Sequence, residues 1–295
     1  MAKNLYIGVE GKARKAKKIY VGIGGTAREV KKAYIGVNGV ARLFYSGGKR
    51  LSDLPVGTIV NFRENGTYVP YEIINQGAPS HQGEKFSCYY GGTTLEVTTS
   101  VYDSSCNGTW ILRYQRSTTW PYNTSGSTNW GTGSEHSYCM NTFYPTITDK
   151  HLVKQVVLPS PTGQSTVGVI TTSCFLLSAF ECGQLFHKDS GDLVPLSKYP
   201  QCGAPLQWVN PYWDHAYGEN PNSSIIAGHD PNAEKWLNTW MLRSTIKGRD
   251  SAVYGVNGGS QGIIGDSQSN RTIGIRPTMV LNADALVDEN NNILP

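Results

Sequence analysis

Apolar residues return along the first fifty positions with a fixed period of 14 residues. Tyr6-Ile7-Gly8-Val9 is followed by Lys12-Ala13-Arg14, Tyr20-Val21-Gly22-Ile23 by Thr26-Ala27-Arg28, and Tyr34-Ile35-Gly36-Val37 by Val40-Ala41-Arg42. In each copy the two runs are split by a pair that accepts positive φ: Glu10-Gly11, Gly24-Gly25 or Asn38-Gly39. Such pairs between strand-forming runs signal a two-residue hairpin turn. The pattern predicts a β-meander over the first fifty residues, with Lys17-Lys18 and Lys31-Lys32 between copies. Its apolar face is thin, since the run from Lys15 to Tyr20 offers only Ala16, Ile19 and Tyr20. A unit of this kind is barely stable alone and must stack on its neighbours or on a partner. Residues 1–45 therefore read as an attachment arm, and residues 46–53, with Ser46-Gly47-Gly48-Lys49-Arg50, as a flexible linker.

Beyond the linker the pattern changes to that of a loop-rich domain over residues 54–295. Leu54-Pro55-Val56-Gly57-Thr58-Ile59-Val60 opens a strand, and Tyr71-Glu72-Ile73-Ile74 follows. The spacing from about Glu135 to Tyr144 suits a helix, and Thr148 can cap a second, short one before Val156-Val157-Leu158-Pro159. Ser178-Ala179-Phe180-Glu181 has the form of a capping box, which predicts a helical turn. Asp230-Pro231 suits an N-cap and first helical position ahead of Trp236. The intervals from Pro79 to Trp130 and from Tyr199 to His229 are long, aromatic and turn-rich, as functional loops are.

Charge divides sharply along the chain. Residues 1–50 hold 12 Lys or Arg against Glu10 and Glu29, a net of +10, while the remainder, with 14 basic and 20 acidic residues, carries −6. The basic charges fall at repeat positions on strands and are not interleaved with stacking aromatics. That disfavours nucleic acid and favours an acidic protein surface, or simply a solvated strand face. About 245 residues remain after the repeats, enough for one large domain with a full core. Charged residues are only 16% of the chain, a composition of loop-rich β structure rather than of a helical enzyme. No run of 18 apolar residues predicts membrane insertion, and no apolar N-terminal core predicts a signal peptide, so the chain is expected in the cytosol unless lysis or a machine carries it out. Cys88, Cys106, Cys139, Cys174, Cys182 and Cys202 lie at irregular spacings; they read as small buried hydrophobes, with disulfides after release left open.

Trp240-Met241-Leu242-Arg243-Ser244, Ala252-Val253-Tyr254 and Gly274-Ile275-Arg276-Pro277-Thr278-Met279-Val280-Leu281 together resemble the closing signature of a family of uncharacterised bacterial and phage domains with the C-type-lectin-like fold. Gly57-Thr58-Ile59-Val60, Tyr71-Glu72-Ile73-Ile74, Met140-Asn141-Thr142-Phe143 and Phe175 to Glu181 match that family's order, so the resemblance covers roughly residues 54–282. The 14-residue repeats resemble N-terminal segments of tail-associated proteins from phages and prophages of Gram-positive gut bacteria. The resemblance implies an α+β, C-type-lectin-like domain behind an antiparallel arm. It also implies a phage tail or baseplate adhesin that is made in the host cytoplasm and carried on the virion.

The implied partners are tail or baseplate proteins at residues 1–45 and a host-surface glycan or protein at the domain's loops, with a homotrimer by analogy. Enzymes related to this fold use a reactive cysteine pair or a histidine-rich iron site. Neither is legible among these cysteines or His81, His136, His151, His187, His215 and His229, so neither an enzyme nor a metal or other cofactor is expected. Arg243 and Arg276 read as structural, because a buried guanidinium needs a carboxylate or carbonyl partner; Trp236 and Trp240 read as core. Asp230-Pro231-Asn232 departs from the calcium-binding tripeptide of true C-type lectins and is better read as a helix start.

The expected ligand face lies in two groups of loops. Trp208, Tyr212, Trp213, Asp214, His215 and Tyr217 concentrate aromatic rings with polar tips, suited to stacking on sugars or proteins; plugging of the domain's own loop is the alternative. Arg249, Asp250, Tyr254, Asn257, Gln268 and Asn270 lie in or beside the polar stretches between the two signature halves. The matching region is ligand-facing in this fold, and in some phage proteins a retroelement diversifies it. Two other readings stay open: a structural decoration protein without a ligand, and a cell-wall hydrolase, for which no carboxylate pair is identified by spacing.

Overall fold

The computed structural model describes residues 6–9, 12–15, 19–30, 32–37, 39–46, 48–90, 93–121, 129–162, 167–182, 186–189, 192–195, 203–208, 240–245, 253–257, 262–267 and 272–295. In the arm, β1 (Tyr6–Val9) pairs with β2 (Lys12–Lys15), β3 (Tyr20–Ile23) with β4 (Thr26–Glu29), and β5 (Lys32–Val37) with β6 (Val40–Ser46), all antiparallel. Gly24 and Gly25 take φ of +59° and +77°, the conformation that a tight hairpin turn demands and that side chains resist. The expected continuous meander is instead three separate two-stranded ladders among the described residues. With the ladders separate, Tyr20, Val21, Ile23 and Tyr34 remain exposed, at 57%, 45%, 52% and 56%.

The expected linker is partly built into the domain. β7 (Lys49–Arg50) pairs with the last strand of the chain, Leu286–Val287, and Leu51 in the following 3-10 turn is fully buried. A Cβ on Gly48 would strike the carbonyl of Val287, so glycine is needed where the arm meets this closure.

β8 (Ile59–Glu64) and β9 (Thr67–Gly77) form a hairpin, and β10 (Lys85–Tyr90) and β11 (Thr93–Thr98) a second. β12 (Gly108–Arg113) returns to lie against β9. β13 (Thr118–Pro121) joins a second sheet, and β14 (Val156–Pro161) with β15 (Val167–Thr172) makes a third hairpin. After the small hairpin β16 (Phe186–Asp189) and β17 (Asp192–Pro195) come β18 (Trp240–Thr245), β19 (Val253–Asn257), β20 (Gly262–Ser267) and β21 (Thr272–Ile275). β22 (Thr278–Leu281) and β23 (Leu286–Val287) end the chain. The central antiparallel sheet runs β22-β12-β9-β8, and the second runs β13-β21-β18-β19-β20, with β18 parallel to β21.

Both faces of the central sheet are covered, which is why Tyr71, Glu72, Ile73, Ile74 and Asn75 are buried in succession. On one face Tyr102, Trp110 and Phe175 stack edge to face at 5.8 and 5.5 Å, and Trp110 Nε1 donates to Cys106 O at 3.0 Å. The fold is β-rich and loop-rich.

Helical content among the described residues is short. The helix expected over Glu135–Tyr144 is one turn, α1 (Ser134–Ser137), running into a π turn at Tyr138–Phe143 and a 3-10 turn at Tyr144–Thr146. The wide π turn allows Tyr138, Cys139 and Phe143 all to be buried. Thr148 does not cap the following turn, since its hydroxyl accepts from Gly66 N at 2.8 Å, while Asp149 is drawn to Arg63 at 2.7 and 2.5 Å. The Ser178 capping box is present: Glu181 N donates to Ser178 Oγ at 3.0 Å and Ser178 N to Glu181 Oε2 at 2.9 Å, around a single turn closed by Cys182 N to Ser178 O at 3.2 Å. The expected helix start at Asp230-Pro231 lies outside the described residues.

Candidate functional site

The two halves of the C-terminal signature meet in space. Trp240 on β18 pairs in parallel with Gly274 on β21, and the Arg276 guanidinium lies over the Trp240 ring, 5.0 Å from its centre. Arg276 Nε donates to Arg113 O at 2.9 Å, which ties this corner to the central sheet. Burial lowers the Arg276 pKa to about 10, against the opposing pull of Glu72. Glu72, on β9 opposite Leu112 of β12, is only 4% exposed, and its Oε2 has no hydrogen-bond partner. Desolvation raises its carboxyl to about 7, and the nearby Arg276 charge only moderates the rise.

Arg243, three residues along β18 from Trp240, sits in a satisfied buried network. Its Nη1 donates to Leu176 O at 2.7 Å and Glu181 Oε2 at 2.5 Å, its Nη2 to Glu181 Oε1 at 2.6 Å and Pro159 O at 3.1 Å, and its Nε to Pro159 O at 3.3 Å. Tyr102 adds a 2.6 Å bond to Glu181 Oε1, and its own oxygen accepts from Ala204 N at 3.0 Å. Burial, then the Glu181 charge, pushes the Tyr102 hydroxyl well above its ordinary value, so it stays a donor. This is a scaffold that binds five chain segments together, as expected for an Arg in an apolar strand.

That scaffold sets the roots of the aromatic loop. The segment from Ala204 to Trp208 is laced to β9: Gln207 N donates to Asn75 Oδ1 at 3.0 Å, Gln76 N to Gln207 Oε1 at 3.0 Å, and Trp208 N to Ile74 O at 3.3 Å. Trp208 itself is 4% exposed and belongs to the core, so its ring is not on a surface. Trp208 and Trp240, which flank residues 209–239, are therefore both buried anchors. Tyr212, Trp213, Asp214, His215 and Tyr217 lie outside the described residues, as do Arg249, Asp250, Gln268 and Asn270. Tyr254 and Asn257 lie on β19.

Sequence reasoning passed over Glu72. The signal for Glu72 was visible as a lone carboxylate inside Tyr71-Glu72-Ile73-Ile74. Cys139 and Cys174 are both free and fully buried, and burial, with Cys139 adding to it, raises the Cys174 thiol well above its ordinary value. Among the described residues, no group of three or more His, Cys, Asp or Glu could hold a metal ion.

No curated protein and no solved structure matches the chain. One family does, a domain of unknown function (DUF6273), over residues 107–283. Its span starts just before β12 and ends just after β22, so the hairpin β8–β9 widens the central sheet beyond it. With more than half of its length matched, from the strand that bears Trp110 to the signature that holds Arg243 and Arg276, the chain belongs to the DUF6273 family.

Proposed function

We propose that this chain is a phage tail or baseplate adhesin, with a basic hairpin arm that attaches it to the particle and a C-type-lectin-like domain that binds a host-surface glycan or protein. The observation that carries the reading is the arm. Three two-stranded ribbons with exposed Tyr20, Val21, Ile23 and Tyr34 cannot bury their own apolar surface. With a net charge of +10 over residues 1–50, they suit an acidic protein partner.

Support for the domain comes from its construction. Its first and last strands, β7 and β23, close on each other, and Trp208, Trp240, Arg243 and Arg276, the described residues beside the expected ligand segments, are all buried. Buried anchors beside polar and aromatic sequence suit recognition. The ligand face is then formed by Tyr212, Trp213, Asp214, His215 and Tyr217 with Arg249, Asp250, Tyr254, Asn257, Gln268 and Asn270. The chain acts by binding rather than turnover, as part of the virion and as a homotrimer.

Fluorescently labelled full-length chain, incubated with candidate Gram-positive host cells and then challenged with solubilised cell-wall glycan or with protease-treated cells, tests this. Saturable binding supports the reading, and the two challenges tell glycan from protein. Absence of binding to cells that the parent particle infects sinks it.

A further inference from the structure

The three hairpins of the arm repeat one cross-strand arrangement. The register sets Ile7 opposite Arg14 and Val9 opposite Lys12, then Val21 opposite Arg28 and Ile23 opposite Thr26, then Ile35 opposite Arg42 and Val37 opposite Val40. Directly opposed residues, and residues two apart on one strand, share a face. One face of every hairpin therefore carries two β-branched residues beside an arginine. On the other face a tyrosine adjoins a glycine-alanine pair, as Tyr20 adjoins Gly22 and Ala27. The charge there does not repeat, since Tyr6 stands opposite Lys15, Tyr20 opposite Glu29 and Tyr34 opposite Leu43. Only the arginine face is cationic in all three copies.

In the middle hairpin Val21, Ile23 and Arg28 are all exposed. A polyphosphate or nucleic acid would satisfy the arginine but leave the aliphatic side chains in water. A second copy of the same face would bring arginine to arginine, with no carboxylate at these register positions to relieve the repulsion. An apolar groove with acidic side chains at its rim satisfies both features at once. We propose that the face bearing Val21, Ile23 and Arg28, repeated in the other two hairpins, docks into an acidic protein surface, the β-branched pair filling an apolar groove and the arginine meeting a carboxylate at its edge.

This inference rests on the attachment reading of the arm, and adds which face docks and what chemistry the partner presents. Burial of the aliphatic pair supplies affinity, and the charge pair supplies orientation and rate of encounter. Each contact is small, but once one hairpin has docked the next two bind as tethered groups at high effective concentration. The arm therefore holds firmly only when its copies engage together.

Particles assembled without this chain are incubated with purified full-length chain or its variants, and bound chain per particle is measured against concentration. If a chain lacking residues 1–46 still binds, the attachment reading fails and this inference with it. If that deletion abolishes binding, the face variants decide. Arg14→Glu, Arg28→Glu and Arg42→Glu together should weaken binding at least about 100-fold. Lys17→Glu, Lys18→Glu and Lys31→Glu, the same change of charge in the links, should weaken it less than about tenfold. Val21→Thr with Ile23→Thr, which keeps the β-branched shape, should weaken it at least about threefold. Tyr20→Ser with Tyr34→Ser should leave it unchanged. Equal losses in the arginine and link-lysine variants would reduce docking to net charge and overturn the proposal. So would a loss confined to the tyrosine variant, or release by polyphosphate together with full binding of the Val21/Ile23 variant, the behaviour of a polyanion site. Should the threonine variant unfold its hairpin, the contrast between arginine and lysine variants still decides.

Discussion

Arg243 and Glu181 form a two-pronged ion pair, at 2.5 and 2.6 Å, with both side chains wholly inside the protein. Removing one partner strands the other charge where no water can reach it. Glu181→Gln and Arg243→Met should therefore each cost about 3–5 kcal/mol, read as a lowered midpoint in urea unfolding at unchanged slope. The Glu181→Leu/Arg243→Met double variant should lose less than the sum of the single losses, since no lone charge remains. Additive losses would show that the two side chains do not act as a pair.

Glu72 gives stability a pH dependence of the opposite sign to the usual carboxylate. Its folded pKa, about 7, lies above the ordinary 4.5, so the folded state holds the proton more tightly than the unfolded one. Unfolding then releases a proton between these values, and the contribution of Glu72 worsens as pH rises through this window and levels off above it. The full effect is on the order of 3 kcal/mol. Glu72→Gln should match wild type near pH 4 and exceed it at pH 8, measured as the difference between the two in urea unfolding, which cancels the other carboxylates. A constant difference across that range would place the Glu72 carboxyl in a solvated site.

What the sequence disclosed follows the range of the interactions concerned. Local chemistry was legible: positive-φ glycines marked the hairpin turn at Gly24-Gly25, and Ser178-x-x-Glu181 announced its two reciprocal bonds. Arg243 could be read as needing a buried partner, but not that the partner would be the capping Glu181, because that contact depends on tertiary packing. β7 was hidden for the same reason. Two residues carry no periodicity, and Lys49–Arg50 is a strand only because Leu286–Val287 lies beside it. The helix expected over Glu135–Tyr144 failed in detail, since periodicity does not tell an α turn from the wider π turn that buries Cys139 and Phe143. Of the expected ligand residues, Trp208 proved to be a core anchor, and most of the others fall outside the described residues.

The arm should be separable from the domain. Its three ladders pair only within themselves among the described residues, and the closure of the domain begins with β7 at Lys49. Deleting residues 1–46 should leave Tm within a few degrees of the full chain, because the ribbons add little buried area. If the arm is the particle attachment, the truncated chain should be absent from purified particles, and full-length incorporation should weaken steeply with salt, as docking of a +10 segment requires. Truncated chain found in particles at full-length occupancy would remove the attachment role.

Trp213 and Arg276 should respond to substitution in opposite ways. Arg276 is 2% exposed, bonded to Arg113 O and stacked over Trp240. Arg276→Ala removes the charge that moderates Glu72 and the clamp between the signature halves, and should destabilise by roughly 2–4 kcal/mol, with host binding lost only as a consequence. Trp213→Ala or Tyr212→Ala, if these rings belong to the ligand face, should weaken cell binding by about 1–3 kcal/mol, the usual loss for an aromatic anchor. Tm should then stay nearly unchanged. Thermal melts and cell-binding isotherms on the same preparations separate the two cases. Equal destabilisation by the Trp213 and Arg276 substitutions would mean that the aromatic loop packs into the domain as Trp208 does, and the ligand face would then have to be sought between Arg249 and Asn270.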